Sequence, residues 1–283
     1  MKKLTYIAAI LTLATGCQKE IDMDYHEVAP VVCIEGRVTN EQMYVLVTRS
    51  RPMEDSVHAR GIQGASVTIS TPDRSEQLVF DARDGYYRSP TGWKGETGHT
   101  YTLQVTLDGQ HYEAVSTMPP AAPIVSTQFV WQPVLKNHLL TFTMWATDPE
   151  PDVRNFYWYR MERHSVNADA RRKQGNDPYR WNVFDDRGSR DGRIYRDIHC
   201  MMDVSEDEPD EDNLKSVLFE GDTITFQLMT IDRPTFDYYQ SLSTGQRMGA
   251  NPISNIKGGC QGYFVAGNIT RSDTLYYKKI NRE

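Results

Sequence analysis

Polar and apolar residues alternate along most of the chain with a period of two. In "YTLQVTL" Tyr101, Leu103, Val105 and Leu107 point one way and Thr102, Gln104 and Thr106 the other. Asp108-Gly109 follows and "QHYEAVS" starts the return, which predicts a hairpin, because that dipeptide accepts the positive φ angles of a tight turn. "LTFTMWA" puts Leu140, Phe142 and Met144 inward, and "DTITFQLM" does the same with Ile224, Phe226 and Leu228. Further strands are expected at 31–38, 43–49, 67–70, 77–80, 153–161, 262–267 and 274–279. In "FYWY" Phe156 and Trp158 should face one side and Tyr157 and Tyr159 the other. One short helix is expected, with Asp232 as its cap, Pro234 in its first turn, and Phe236, Tyr239 and Leu242 on one face.

Many short strands between Gly, Pro and Asp turns predict an all-β fold of two β-sandwich-like domains. "MPPAAPI" holds three prolines and reads as a stiff connection. The expected division is an N-terminal sandwich at 28–118, a Pro-rich linker at 119–124 and a β-rich domain at 125–283. Within the last, residues 162–215 form a polar excursion.

The N-terminus breaks the alternation. Lys2 and Lys3 precede ten apolar or small residues, Leu4 to Leu13, and Ala14-Thr15-Gly16 lead to Cys17. This is the layout of a secretory signal, too short to span a bilayer. The Ala14–Cys17 stretch resembles a bacterial lipobox, with Ala14 where leucine is commonest. Cleavage would then leave residues 1–16 as a signal peptide, Cys17 as the lipidated residue and 17–27 as a tether. More than one acyl chain makes such anchoring stable.

Losing Lys2 and Lys3 with that peptide takes the formal net charge from −7 to −9. Such an acidic chain is a poor partner for nucleic acid, whose binding rests on Lys and Arg. Three cysteines remain after Cys17, and export would expose them to a compartment where disulfides persist. Cys33, in an apolar strand, reads as a buried thiol; if a bridge forms, Cys200 with Cys260 is the expected pair.

Candidate chemistry is sparse. The seven histidines are scattered, with no zinc-binding spacing, no nucleophile elbow and no phosphate or dinucleotide glycine loop, so no catalytic, metal or cofactor site is assigned. "DVSEDEPDED", 203–212, carries seven carboxylates. It lacks the spacing and central glycine of a calcium loop and reads as a solvated run. The excursion's Tyr179, Trp181, Phe184 and Tyr195 interleave with Arg171, Arg172, Arg180, Arg190, Arg193 and Arg196. That composition suits a ligand or partner surface, with Tyr179, Arg180, Trp181, Phe184 and Tyr195 as contacts. It equally suits a mini-core pinning the segment down. On the first alternative, deleting 165–212 should remove binding and spare the core.

"CIEGRVTNEQMYVLVTRSRPMEDS", "IQGASVTIS", "DGYYRSPTGWKGETGHTYTLQVTLDGQHYEAVSTMPP" and "SNIKGGCQGYF" occur in the order seen in the domain of unknown function 4249 family, which the chain resembles over about residues 17–275. Cys260 departs from that pattern. The resemblance implies a Bacteroidota outer-membrane lipoprotein associated with TonB-dependent nutrient receptors, and it brings no catalytic residues. The hairpin region also resembles the immunoglobulin/transthyretin-like sandwich of the carboxypeptidase regulatory type. Glu20, Asp22 and Asp24 resemble an export signal for surface display. Asp55-Ser56-Val57, Asp222-Thr223-Ile224 and Asp273-Thr274-Leu275 resemble O-glycosylation motifs of that phylum, the first in an expected loop. The expectation is therefore a lipid-anchored, surface-facing binding or accessory component of an uptake system. The alternatives are a surface hydrolase of glycan or peptide, which needs carboxylates converging in a cleft, and a structural or adhesive protein.

Overall fold

The computed structural model describes residues 29–51, 60–189, 191–206, 209–248 and 250–279. The expected signal peptide, Cys17, the expected acidic tether, Asp55-Ser56-Val57 and Arg190 lie outside them.

The fold is all-β and sandwich-like. The first half forms β1 (Val32–Thr39), β2 (Met43–Arg49), β3 (Ser66–Ser70), β4 (Ser75–Gln77), β5 (Val79–Asp81), β6 (Tyr86–Arg88), β7 (Thr100–Leu107) and β8 (Gln110–Thr117). The alternation of "YTLQVTL" is realised in β7, and Asp108 and Gly109 turn the β7–β8 hairpin at φ 50° and 77°. The second half forms β9 (Ile124–Val134), β10 (Asn137–Thr147), β11 (Phe156–His164), α1 (Ala168–Gln174), β12 (Arg180–Asp185), β13 (Arg193–Met202), β14 (Thr223–Ile231), α2 (Arg233–Met248), β15 (Gln261–Arg271) and β16 (Leu275–Tyr276).

These strands make three sheets. The large one runs β12-β11-β14-β15-β1-β2-β6-β5, with β16 paired to β14; the others are β13-β10-β9 and β4-β3-β7-β8. The first core lies between the β1/β2/β6 region and the four-stranded sheet, around Ile34, Val45, Ile69, Tyr101 and Leu103. The second lies between β11/β14 and the three-stranded sheet, where the Phe142 and Phe226 rings stack at 5.1 Å. Truncating either to alanine would cost about 3–5 kcal/mol. A third core forms under α2, whose Phe236, Tyr238 and Tyr239 cover Trp158, Met229, Tyr263 and Val265. Thus "FYWY" is buried on both faces, Tyr157 and Tyr159 in the second core and Trp158 in the third.

The Pro-rich segment passes between the two sandwiches, but the chain does not leave them as separate bodies. β15 returns from the second half and pairs in parallel with β1, Cys33 opposite Gln261 through Thr39 opposite Gly267. One sheet therefore belongs to both cores. Gly262 makes this approach feasible: at φ 124° a Cβ there would lie 1.8 Å from the Ile34 carbonyl oxygen. Asp232 caps α2 by accepting from the Thr235 amide at 3.0 Å, and its other oxygen accepts from the Ser116 hydroxyl of β8. α2, the large sheet through β14, and the first sandwich through β8 meet at that hydrogen bond.

Three expectations change. Among the described residues two α-helices form instead of one, because Asn167 accepts from the Asp169 and Ala170 amides and starts α1 inside the excursion. The excursion is not a loop: β12 and β13 lie in it, on the edges of two different sheets. Its alternation is masked by Arg196, which occupies an inward phase and lays its guanidinium 4.5 Å from the Phe184 ring centroid. Cys200 and Cys260 form no disulfide; both are free, one in the second core and the other in the first.

Candidate functional surface

The five residues singled out as contacts fall into separate environments. Tyr179 is 4% exposed, donates its hydroxyl to the Ser216 carbonyl at 2.9 Å, and carries the Arg163 and Arg180 guanidinium groups against its ring. Phe184, also 4% exposed, stacks on Tyr157 at 5.1 Å. Arg180 donates to the carbonyls of Tyr179 and Cys200 at 2.7 and 2.6 Å, tying the edge of β12 to that of β13. These three do the work of the mini-core. Trp181 is exposed but stands against Tyr239 of α2, on the outer face of the large sheet.

Tyr195 alone joins a surface cluster, and its partner is a residue not expected from the excursion. Tyr195 is opposite Trp145 in the β10–β13 register, and the two rings lie 4.4 Å apart at 52°. They remain 44% and 38% exposed. A signal for Trp145 existed: in "LTFTMWA" it falls in the phase of Thr141 and Thr143, an aromatic on the polar face of a strand. Beside the pair, the Asp197 carboxylate accepts hydrogen bonds from the hydroxyls of Thr143, at 2.7 Å, and Tyr195.

Clefts open around this pair. One of about 420 Å³ is lined by Trp145, Phe184, Arg187, Arg193 and Tyr195. Another of about 470 Å³ lies beyond Trp145 and Arg193 and reaches Val125 and Ser126. A third, of about 450 Å³, holds Asp148, Arg154, Asp186 and Asp191 and shares Arg187, Ser189 and Asp191 with the first.

The third cleft brings two carboxylates near one another. Asp148 has its pKa raised, first by burial and further by the negative Asp186. Both are occupied in fixing Asn155, at the end of the loop between β10 and β11. Asn155 donates its side-chain amide to Asp148 at 2.9 Å and its backbone amide to Asp186 at 2.7 Å. Asp148 is only 6% exposed. Asp185 behaves oppositely: burial works against ionisation, but the guanidinium groups of Arg187 and Arg154 and the Arg187 amide hold its carboxyl down at about 2. Among the described residues no group of three or more His, Cys, Asp or Glu side chains is arranged to hold a metal ion.

The carboxylate run keeps Asp210, Glu211 and Asp212 in solvent, whereas Asp203 is buried and bonded to His138 at 3.1 Å. Of the two described glycosylation-like motifs, Asp222-Thr223-Ile224 is built into the fold: Asp222 is fully buried and accepts from Ser165, Val166 and Phe219. No helix among the described residues is long and apolar enough to cross a membrane.

No curated protein matches the chain. The family described as Domain of unknown function (DUF4249) matches residues 18–273, nearly the full length, and the chain belongs to that family.

Proposed function

We propose that this protein is an outer-membrane lipoprotein, anchored through Cys17 and facing the cell exterior, that acts as a binding or accessory component of a TonB-dependent nutrient-uptake system. The observation that carries the binding role is the Trp145–Tyr195 pair, two large rings left in solvent at 4.4 Å beside the clefts that share Arg193. Exposed aromatics flanked by arginine are what a recognition surface presents before its partner arrives. The anchor rests on the lipobox-like stretch and the uptake role on the family resemblance.

Two measurements test this. Fractionation of native cells should find the protein in the outer membrane, and C17S should release it. Affinity purification should recover a plug-and-barrel receptor with the wild type and less of it with a W145A/Y195A double variant. Equal recovery, or none with either, would remove the accessory role. Deleting 165–212 is unsuitable, because it removes β12 and β13 and with them an edge of each sheet around the second core.

One observation supports the hydrolase reading, the raised Asp148 beside Asp186. Glycan or peptide hydrolysis abolished by D148N with the fold intact would establish it.

A further inference from the structure

The outer face of the three-stranded sheet has a composition that narrows the class of ligand. In the observed register its rows read Thr147 with Arg193; Ser126, Trp145 and Tyr195; Gln128, Thr143 and Asp197; Val130, Thr141 and His199. Thr141 and Thr143 are buried within the rows; apart from the two rings and Val130, the other positions present a hydroxyl, amide, carboxylate, guanidinium or imidazole to solvent. We infer that this face, centred on Trp145 and Tyr195, binds a neutral oligosaccharide chain. The inference rests on the ligand-binding reading above and specifies its chemistry.

A pyranose has one face of C–H bonds and a rim of hydroxyls. The C–H face suits an aromatic surface in water, where burying apolar area is favourable and ring contact adds to it. The rim needs donors and acceptors held in place. Asp197 is such an acceptor, because two hydroxyls fix its carboxylate while each oxygen keeps a lone pair free. Arg193 supplies donors: among the described residues its guanidinium makes no hydrogen bond or ion pair, and it lines clefts on both sides of Trp145. Asp197 and Arg193 are four residues apart on one strand, about 13 Å at the usual rise. That exceeds the width of one sugar ring, so they serve different units of a chain.

A peptide fits this surface less well. Strand addition uses an exposed sheet edge, and side-chain recognition uses an enclosed apolar pocket. Here Trp145 stands on the central strand, away from either edge, and the clefts beside it are open. Arg193 and Arg196 stand against Asp191 and Asp197 around the rings, so cations and carboxylates balance and give no net preference for an acidic ligand.

The test is affinity electrophoresis of the full-length protein in mild detergent through gels containing laminarin, dextran, galactomannan or xyloglucan. A casein-derived peptide pool is assayed in parallel by calorimetry. At least one polysaccharide should retard the wild type, with W145A and Y195A each weakening binding at least tenfold and D197N and R193M about threefold or more. Circular dichroism should show all four variants folded. No retardation by any of the four polysaccharides overturns the inference, as does retardation equal in wild type and both ring variants. If the peptide pool binds instead and W145A abolishes it, the saccharide class is wrong while the binding role stands. If neither probe binds and receptor recovery is also indifferent to the ring variants, the binding role itself has failed.

Discussion

The Arg37 guanidinium, on β1, donates its Nε–H to the Tyr263 hydroxyl of β15 at 2.7 Å. A second donor reaches the Tyr239 hydroxyl of α2 at 3.1 Å, and the rings of Trp158, Tyr263 and Tyr44 lie 5.2, 5.4 and 5.9 Å from the charge. Tyr263 also reaches the Glu35 carboxylate, at 3.5 Å. Burial keeps the Tyr239 and Tyr263 phenols above their ordinary pKa, so they are neutral partners. A cation from the first half thus holds together three elements of the third core.

Removing that cation should be expensive. Desolvated cation–π contacts are worth about 2 kcal/mol, and a hydrogen bond to a charged group about 1.5–3 kcal/mol. R37A should therefore lower stability by about 3 kcal/mol or more in urea unfolding, and Y263F by about 1–2 kcal/mol. The double variant should fall short of the sum, since both remove one interaction.

Gly262 sits where β15 approaches β1. G262A must displace the Ile34 carbonyl, which the Cβ would meet at 1.8 Å, in a backbone region that side chains rarely adopt. The expected result is loss of the β1–β15 register. Denaturant unfolding of this variant should separate into two transitions, against one for the wild type.

Thiol chemistry distinguishes free cysteines from the expected bridge. Burial pushes Cys200 and Cys260 up to about 11, while Cys33 is half-buried and raised as well. Native protein at pH 8 should react slowly with a disulfide reagent, Cys33 first, and C33S should remove that early phase. Three thiols of residues 29–279 should react after denaturation without reductant.

Asp232 links stability to pH. Burial raises its carboxyl above the ordinary aspartate range, against the hydrogen bonds from Ser116 and Thr235. A carboxyl raised on folding contributes stability fully present below its unfolded pKa and lost as pH rises through its folded pKa. Asparagine caps helices as well as aspartate. D232N should therefore flatten the fall in stability on going upward from about pH 4, and a thermal-melt series from pH 3.5 to 7 reads this directly.

Trp145 and Tyr195 should matter little to folding. An aromatic pair is worth about 0.5–1.5 kcal/mol beyond its buried area, and both rings are over a third exposed. W145A should cost about 1 kcal/mol in urea unfolding; a loss of several would mean that the pair belongs to the core.

Alternation by itself determined the all-β class, the β7–β8 hairpin and the two faces of "FYWY", because a period of two assigns each side chain to a face without reference to any other segment. The Asp232 cap and the Phe236/Tyr239 face of α2 were legible for the same local reason. Tertiary structure decided which faces meet. Sequence could not show that β15 returns to β1, since nothing in either strand names its partner. It could not separate Tyr179 and Phe184, which the Arg163, Arg180 and Arg196 guanidiniums cover, from Tyr195, which faces water. Trp145 and Tyr195 lie fifty residues apart, and only the β10–β13 register sets their rings side by side. Face is a property of a strand; neighbourhood is a property of the packed sheets.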